Sequence, residues 1–172
     1  MKDFALIPLT QGHFATIDLC DLELVNKLRW HAQAVRRKDG SLRVYATTNM
    51  PLGRGKYATK RMHRIILGVT DDAQVDHIDG DCTNNKRDNL RICDNVENCR
   101  NRRKRSGSFS PFKGVGWKKT TRRWYAAIKA EGRSIHLGYF GSEDAAARAY
   151  DKAALQHFGE FARLNFPIPN QR

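Results

Sequence analysis

The sequence has 172 residues, with 31 Lys+Arg against 18 Asp+Glu and a formal net charge of +13. This length is enough for one medium domain or two small ones. Because hydrophobic residues make up 40% of the chain, at least one core can be buried, which excludes a wholly disordered basic tail. The longest apolar stretches are far shorter than the about 20 residues of a membrane-spanning helix. An acid and a proline interrupt residues 1–8, where a signal peptide has its apolar run, so a cytoplasmic protein is expected.

The positive charge is concentrated in residues 97–133, which hold twelve Lys/Arg and only two acids. Such a cluster attracts a polyanion and releases its counterions, the pattern of nucleic-acid binding. A surface built for solubility would mix the two signs, and a membrane-binding segment would need a helical apolar face. We therefore expect nucleic acid as the partner, rather than a membrane or a small-molecule substrate. The densest part of the cluster consists of Arg100, Arg102, Arg103, Lys104 and Arg105.

The first sixty residues predict short strands and one short helix. Strands are expected over 4–9, 13–19, 30–36 and 42–48, and a helix over 21–27. Residues 51–57 read as a basic, glycine-rich loop. Since no residue before position 60 carries a catalytic signal, this part is predicted to be scaffold.

Residues 73–105 predict the unit strand, loop, strand, helix. The strands are expected over 75–78 and 90–93, with a long polar loop between them. Asp94 is a good N-cap, and Glu97 completes a capping box for a helix that runs to about residue 104.

Residues 106–111 are rich in Ser, Gly and Pro and predict a linker. After it, strands are expected over 114–118, 124–130 and 134–139. Ser142 is a predicted N-cap for a helix that ends at Gly159. The fold class is therefore predicted to be α+β, with a small β-rich N-terminal scaffold and a C-terminal three-stranded antiparallel sheet packed on one helix.

The segment 75–81, with 89–91 and 97–98, carries the most chemistry in the sequence. Hydrolysis of a phosphodiester needs a base that takes a proton from water near neutral pH, a role that suits His77. It also needs a hard cation to neutralise the phosphate and the leaving oxygen. A carboxylate and an amide carbonyl suit Mg²⁺ or Mn²⁺ better than Zn²⁺.

This stretch resembles the HNH (ββα-metal) nucleases, in the form found in phage homing endonucleases. The matching residues are Asp-His-Ile-Asp-Gly-Asp at 76–81, Asn-Asn at 84–85, Asn-Leu-Arg at 89–91, Glu-Asn at 97–98 and the basic helix that follows. The resemblance covers residues 60–105 well and the first sixty residues more loosely. It implies an endonuclease in the cytoplasm of a phage-infected or bacterial host cell.

The same resemblance implies a role for each matching residue. His77 would be the general base, and Asn89 would brace the loop and orient His77. Asp76 and Asn98 would hold one divalent cation, Mg²⁺ or Mn²⁺. At position 98 other branches of the superfamily have a histidine, whereas an asparagine is typical of the homing endonucleases.

Several residues near the motif keep plainer interpretations. His63 is read as a phosphate contact, as a support for the site or as simple packing, but not as a metal ligand. The segment starting at Asp79 is not an EF-hand loop, because its sixth and twelfth positions are not glycine and glutamate. No cysteine pair has CxxC spacing, so the usual sequence sign of a structural zinc is missing, and all four cysteines are predicted to be small buried thiols. A structural zinc held by Cys82, Cys93 or Cys99 with a histidine is the weaker alternative.

Residues 112–167 resemble the APETALA2/ethylene-response-factor type of DNA-binding domain. The resemblance rests on residues 112–115, 124–128, 136–140, 145–154 and 159–167. In that family a three-stranded sheet lies in the major groove, where base edges carry the full hydrogen-bonding code. The residues that would face DNA are Lys113, Gly114, Lys118, Arg123, Trp124 and Lys129.

Four positions depart from the plant pattern, so the plant target sequence is not carried over. Gly116 and Ser134 stand in place of arginines, Ala127 replaces a glutamate, and His136 replaces a tryptophan.

The predicted organisation is a nuclease domain over 1–105 (scaffold 1–60, motif 61–105), a linker over 106–111, a DNA-binding domain over 112–167 and a tail over 168–172. The predicted function is site-specific, metal-dependent cleavage of double-stranded DNA, with a monomer that nicks one strand or a dimer that cuts both. The alternative is a sequence-specific DNA-binding protein without catalysis, which would not need the Asp76, His77, Asn89 and Asn98 set. An RNA-binding protein is a weaker alternative, because the A-form major groove does not admit a sheet.

Overall fold

The computed structural model describes residues 3–37, 40–101 and 109–167, except the side chains of residues 95, 96 and 99. The predicted DNA contacts Arg102, Arg103, Lys104 and Arg105, the linker residues 106–108 and the tail 168–172 lie outside the described residues. The chain divides into two compact units, Met1–Asn95 and Val96–Arg172. It has an α+β fold of small antiparallel sheets and helices, as the sequence predicts.

The first unit begins with a hairpin of β1 (Phe4–Pro8) and β2 (Phe14–Asp18), followed by the short helix α1 (Leu22–Asn26). The alternation of a half-buried strand is visible in β2, where Ala15 and Ile17 are fully buried while Phe14 is exposed. The two strands and the helix confirm the elements predicted over residues 4–27, with ends that differ by at most one residue.

A three-stranded antiparallel sheet follows, made of β3 (His31–Arg36), β4 (Leu42–Gly53) and β5 (Lys56–Arg61), in the order β3-β4-β5. The prediction of a loop over 51–57 is wrong, because β4 continues to Gly53 and β5 returns along it. The turn residues Arg54 and Gly55 both have positive φ, 51° and 73°, which suits a tight hairpin turn. Pro51 obscures the strand pattern, and the pairing shifts register directly after it.

The rest of the first unit consists of α2 (Met62–Leu67), β6 (Gln74–His77) and β7 (Leu90–Cys93), with β6 and β7 paired antiparallel. The helix ends at Gly68, whose left-handed φ of 64° allows the chain to turn away. The core of this unit joins the N-terminal hairpin to α1, α2 and β7 through Ile7, Leu9, Ala15, Ile17, Val25, Trp30, Ala46, Met62, Ile66 and Leu90.

Helix α3 (Asn95–Arg100) begins directly after Asp94, where the sequence predicts its cap. In the second unit β8 (Val115–Lys118), β9 (Arg123–Ala130) and β10 (Arg133–Phe140) form an antiparallel sheet in the order β10-β9-β8. Helix α4 (Glu143–Phe158) packs on this sheet through a face of small residues that includes Ala146, Ala147, Ala153 and Ala154. The predicted cap is confirmed, since Ser142 Oγ accepts a hydrogen bond from Ala145 N at 3.2 Å.

The C-terminal end of the second unit is fastened to the segment before β8. The Asp151 carboxylate of α4 accepts hydrogen bonds from Asn165 N at 2.8 Å and from Phe166 N at 2.9 Å. The Asn165 side chain in turn accepts from Lys113 N at 2.6 Å and donates to Lys113 O at 3.1 Å. These bonds fix the backbone on which Gly114 lies.

Gly114 is required for packing, which leads to a stability prediction. A Cβ at this position would lie 1.9 Å from the Tyr150 ring and 2.7 Å from Ala127 O, and φ is +75°. Gly114→Ala is therefore expected to destabilise the second unit by about 3 kcal/mol, from overpacking and left-handed strain together. Gly132→Ala is the matched control, because its φ is +76° with nothing within 4 Å. It should cost about 1 kcal/mol.

Urea unfolding followed by tryptophan fluorescence checks this, since two of the three tryptophans, Trp117 and Trp124, lie in the second unit. Equal destabilisation by the two substitutions would show that the Tyr150 ring moves aside at little cost.

Candidate active site

His77 is the last residue of β6, and the polar loop between β6 and β7 starts directly after it. The turn is closed by main-chain hydrogen bonds from Gly80 N to His77 O and from Ile78 N to Asn89 O, both 2.9 Å long. The His77 side chain is only 4% exposed. The imidazole is therefore held at the end of a hairpin rather than on a mobile surface chain.

Asn89 ties the two ends of this loop together. Its side-chain oxygen accepts from Asp79 N at 3.0 Å, while its amide nitrogen donates to Asp79 Oδ1 at 3.0 Å and to Asn84 O at 2.8 Å. The residue is 7% exposed, so these groups have little access to water. These hydrogen bonds hold the loop closed, because they join Asn89 at its end to Asp79 and Asn84 within it. The orientation of His77 by Asn89 stays a prediction.

The loop is also anchored to the N-terminal hairpin, through contacts that the sequence did not reveal. Thr16 of β2 donates its N–H to Thr83 O at 2.9 Å and accepts from Asn85 N at 2.7 Å. Arg87 forms a two-pronged ion pair with the buried Asp21 carboxylate, with bonds of 2.6 and 2.9 Å. The first residues of the chain therefore help to shape the site instead of serving only as distant scaffold.

Asp76, a predicted metal ligand, forms an ion pair with Arg91 on the neighbouring strand. The Arg91 Nη2 to Asp76 Oδ2 distance is 2.9 Å, and the two side chains are 9% and 10% exposed. The two residues are direct cross-strand partners in the β6-β7 register. The ion pair therefore orients a carboxylate at the position where the resemblance implies a cation.

Asn98, the second predicted ligand, lies in α3 and belongs to the second compact unit. Across residues 3–37, 40–101 and 109–167, no three His, Cys, Asp or Glu side chains are grouped so that they could hold a metal ion. An all-protein cage is thus not found in this part of the chain. A carboxylate and an amide still fit Mg²⁺, which binds through one or two carboxylates and completes its shell with waters and substrate phosphates.

Three rings meet at the site. The His63 and His77 rings lie edge to face with centroids 4.9 Å apart, and Tyr45 of β4 lies 6.2 Å from His63 and 6.5 Å from His77. His63 is 3% exposed. Burial, reinforced by the nearby charges of His77 and Arg61, lowers the pKa of His63 to about 3. His63 is therefore a neutral ring at physiological pH and packs directly against the predicted base.

Burial also lowers the pKa of His77, against the opposing effects of a hydrogen bond with Asn85 and of the nearby Asp79 and Asp76 carboxylates. A lowered pKa keeps the imidazole neutral at physiological pH. The neutral ring is the form that can accept a proton from water.

Tyr45 is held in place through its hydroxyl, which hydrogen-bonds with Arg43 and with the Cys82 thiol. Burial raises the pKa of Cys82, which agrees with its prediction as a buried thiol. Cys93 is buried as well, but Cys20 is exposed, so the prediction that all four cysteines are buried is wrong at that position. Cys20 follows β2 in a short turn at the surface. The Cys99 side chain lies outside the described residues.

In the second unit, three of the predicted DNA contacts are exposed cations on the sheet. They are Lys118, Arg123 and Lys129, and the first two are cross-strand partners. Arg100 has its guanidinium over the Phe158 ring at 4.9 Å, and its carbonyl accepts a hydrogen bond from the Lys113 ammonium. Lys113 therefore also has a structural role.

Trp124 and Gly114, two further predicted DNA contacts, also make packing contacts within the second unit, and their contact with DNA stays a prediction. Trp124 shares a face of β9 with Ala126 and Ile128, packs against the core under α4, and has Trp117 beside it at 5.1 Å between ring centroids. Gly114 packs against the Tyr150 ring, as described above. Alternate residues of a strand share one face, so Trp124 lies on the face of β9 that packs against α4, as do the buried Ala126 and Ile128.

An aromatic group that the sequence analysis missed lies on the other face of this sheet. His136 has Tyr139 at 4.8 Å and Tyr125 at 6.2 Å between ring centroids. Tyr125 is the cross-strand partner of Gly116, where a Cβ would come within 2.5 Å of its ring. The glycine that replaces the plant arginine therefore makes room for Tyr125.

The first unit thus places a histidine at the end of a hairpin with a braced loop, and the second unit is a sheet and helix with exposed cations. The chain is 31% identical over 163 residues to a protein of Acanthamoeba polyphaga mimivirus named as an uncharacterised HNH endonuclease, with 94% of this chain and 80% of that protein covered. The chain therefore belongs to the HNH endonuclease family. No protein-family model matches it.

The chain is also similar to plant transcription factors over about a third of its length. It is 39% identical over 75 residues to an AP2-like ethylene-responsive transcription factor of Arabidopsis thaliana, covering 36% of this chain and 23% of that protein. It is 41% identical over 59 residues to APETALA2-like protein 2 of rice, covering 34% of this chain and 14% of the relative. The chain thus spans less than a quarter of these plant proteins. In the described part of the chain, no helix has the length and apolarity needed to cross a membrane.

Proposed function

We propose that the protein is a metal-dependent endonuclease that hydrolyses one phosphodiester bond of double-stranded DNA. Its family and its similarity to proteins named as transcription factors support a nuclease that binds DNA. The observation that carries the proposal is His77, a buried imidazole with a lowered pKa, at the end of a hairpin whose loop is braced by Asn89.

In the proposed reaction, His77 takes a proton from a water molecule, and the resulting hydroxide attacks the phosphorus. Asn89 keeps the loop closed, so that the imidazole stays at the end of β6. Asp76 and Asn98 would hold one Mg²⁺ or Mn²⁺, and the ion pair with Arg91 orients the Asp76 carboxylate. The bound cation supplies Lewis-acid stabilisation of the charge that develops on the leaving 3′ oxygen.

The second unit binds the duplex in this proposal. Lys118, Arg123 and Lys129 contact phosphates and fix the register of the protein on DNA. The cations of residues 100–105 add to the attraction for the backbone. One His77 per chain means one strand cut per engagement, so a monomer nicks, and a dimer or a second event is needed to break both strands. The proposed location is the cytoplasm of a bacterial or phage-infected cell.

Supercoiled plasmid carrying candidate sites, incubated with the protein and Mg²⁺ or Mn²⁺, tests this function. Conversion to open circle that disappears with EDTA and with the His77→Ala variant is the expected result. Tight binding in a gel shift without cleavage under any metal would contradict the proposal and favour a DNA-binding protein without catalysis. Linear product at low conversion would contradict nicking by a monomer.

A further inference from the structure

The β3-β4-β5 sheet, which carries Tyr45 beside His77, has cations that the proposed mechanism does not use. Strands β4 and β5 contain Arg43, Lys56, Lys60 and Arg61 and no Asp or Glu. Lys60 forms an ion pair with Asp71, and Arg43 hydrogen-bonds with the Tyr45 hydroxyl. Arg61 differs from both, because its guanidinium lies over the Tyr45 ring, 4.3 Å from the centroid.

The pairing of the strands explains why Arg61 lies there. Arg61 is the cross-strand partner of Thr47, so its side chain shares a face of the sheet with Tyr45, two residues along β4. Arg61 also ends β5 directly before α2, the helix that carries His63. Its positive charge contributes to the lowered pKa of His63. The guanidinium therefore lies over the Tyr45 ring, whose centroid is 6.2 Å from that of His63 and 6.5 Å from that of His77.

This arrangement has the properties of a phosphate-binding subsite. An aromatic ring beneath a guanidinium restricts its orientation and leaves its edge N–H donors available for two oxygens of a tetrahedral phosphate. Within residues 3–37, 40–101 and 109–167, Arg61 has no recorded ion pair with a carboxylate. The Tyr45 ring cannot swing away easily, since its hydroxyl is held by Arg43 and Cys82.

We infer that Arg61, whose guanidinium lies over the Tyr45 ring, binds a backbone phosphate of the cleaved DNA strand beside the one that is attacked. The inference rests on the proposed function for the identity of the ligand, a phosphodiester. The contact would hold the DNA strand close to His77. Tyr45 acts here as a positioning residue, because it orients the guanidinium and does not itself touch the phosphate.

The test compares Arg61→Met, Arg61→Lys and the matched control Arg64→Met, which removes the same charge three residues away. The Arg64 guanidinium donates instead to Thr70 O at 2.6 Å. Binding of a fluorescent random-sequence duplex is measured in EDTA over a series of salt concentrations. Arg61→Met is expected to reduce the slope of log K against log salt by about 1, as the loss of one phosphate contact does. Arg61→Lys should keep the slope, and Arg64→Met should leave it unchanged.

Plasmid nicking by the same proteins provides a second readout. Arg61→Met is expected to lower kcat/KM about tenfold, and Arg61→Lys to lower kcat while KM changes little, because lysine keeps the charge but loses the planar fork. Thermal unfolding of each variant shows whether the unit is intact. Equal salt slopes and nicking rates for Arg61→Met and Arg64→Met, with both proteins folded, would overturn the inference.

Failure of the inference and failure of the proposed function give different results. If the wild-type protein nicks plasmid and Arg61→Met behaves like Arg64→Met, the nuclease proposal stands and the subsite is wrong. If neither the wild type nor any variant nicks DNA, but Arg61→Met still reduces the slope of log K against log salt by about 1, the nuclease proposal is wrong. The phosphate subsite is then supported in a DNA-binding protein without catalysis.

Discussion

Replacement of His77 by alanine is expected to lower the nicking rate about 10²–10⁴-fold, the usual contribution of a positioned general base. The expected loss is in the chemical step, so the KM for plasmid and the affinity for DNA in EDTA should stay close to the wild-type values. The matched control is His13→Ala, the same substitution in the same unit, at a residue between β1 and β2 that is not part of the ring cluster.

A structural effect of the substitution can be separated from loss of the base. Removal of the imidazole leaves a space beside His63 and Tyr45, which were 4.9 and 6.5 Å from the His77 ring centre. Imidazole added to the solution can enter that space and accept the proton, so it should restore part of the nicking rate of His77→Ala and none of an Asn89→Ala variant. A His77→Ala protein that is folded and nicks within tenfold of the wild-type rate would show that another group is the base.

Much of the hairpin at the site could be predicted from sequence, because its signals are local. The strands 74–77 and 90–93 were expected within one residue, since short apolar runs flank a loop of Asp, Asn and Gly. The C-terminal sheet and α4 were predicted for the same reason, with a serine cap at one end and a glycine at the other. The resemblances to HNH nucleases and to APETALA2 domains, each spread over many residues, predicted which unit comes first in the chain.

The contacts that complete the site are not local, and sequence reasoning missed them. Tyr45 lies 32 positions before His77, and nothing in the alternation of β4 marks it as different from any other half-buried strand residue. The pair of Asp21 and Arg87 is likewise a product of the tertiary fold, because the two partners are 66 positions apart in the sequence. The region read as plain scaffold therefore supplies one of the rings of the site and the ion pair that holds its loop.

The error at residues 51–57 has a different physical cause. Glycine and proline usually interrupt strands, and three of the seven residues in this segment are one or the other. Here Pro51 sits at a register shift, and Arg54 and Gly55 form the positive-φ turn of a hairpin. Turn chemistry and loop chemistry use the same residues, so composition alone does not distinguish a long hairpin from a flexible loop.

The stability of the first unit is expected to fall on acidification because of His63. Its pKa is lowered from 6.5 to about 3 by burial, so the folded unit stays neutral at this position while the unfolded chain takes up a proton. Stability is therefore fully present above pH 6.5 and is lost as the pH falls toward 3. Between pH 7 and pH 5 the loss from this residue is about 2 kcal/mol, at 1.36 kcal/mol for each pH unit below 6.5.

The variant His63→Phe isolates this contribution, since it keeps a ring against His77 and Tyr45 but cannot be protonated. Its free energy of unfolding should fall by about 2 kcal/mol less than that of the wild type between pH 7 and pH 5. His63→Gln should give the same pH-dependent difference despite different packing, because only the loss of titration is shared. Urea titrations followed by backbone-amide NMR, which reports the first unit separately, provide the measurement. Equal losses of unfolding free energy in the wild type and both variants would contradict this prediction. They would mean that water reaches His63 in the folded protein, so that its ring is not kept neutral beside His77.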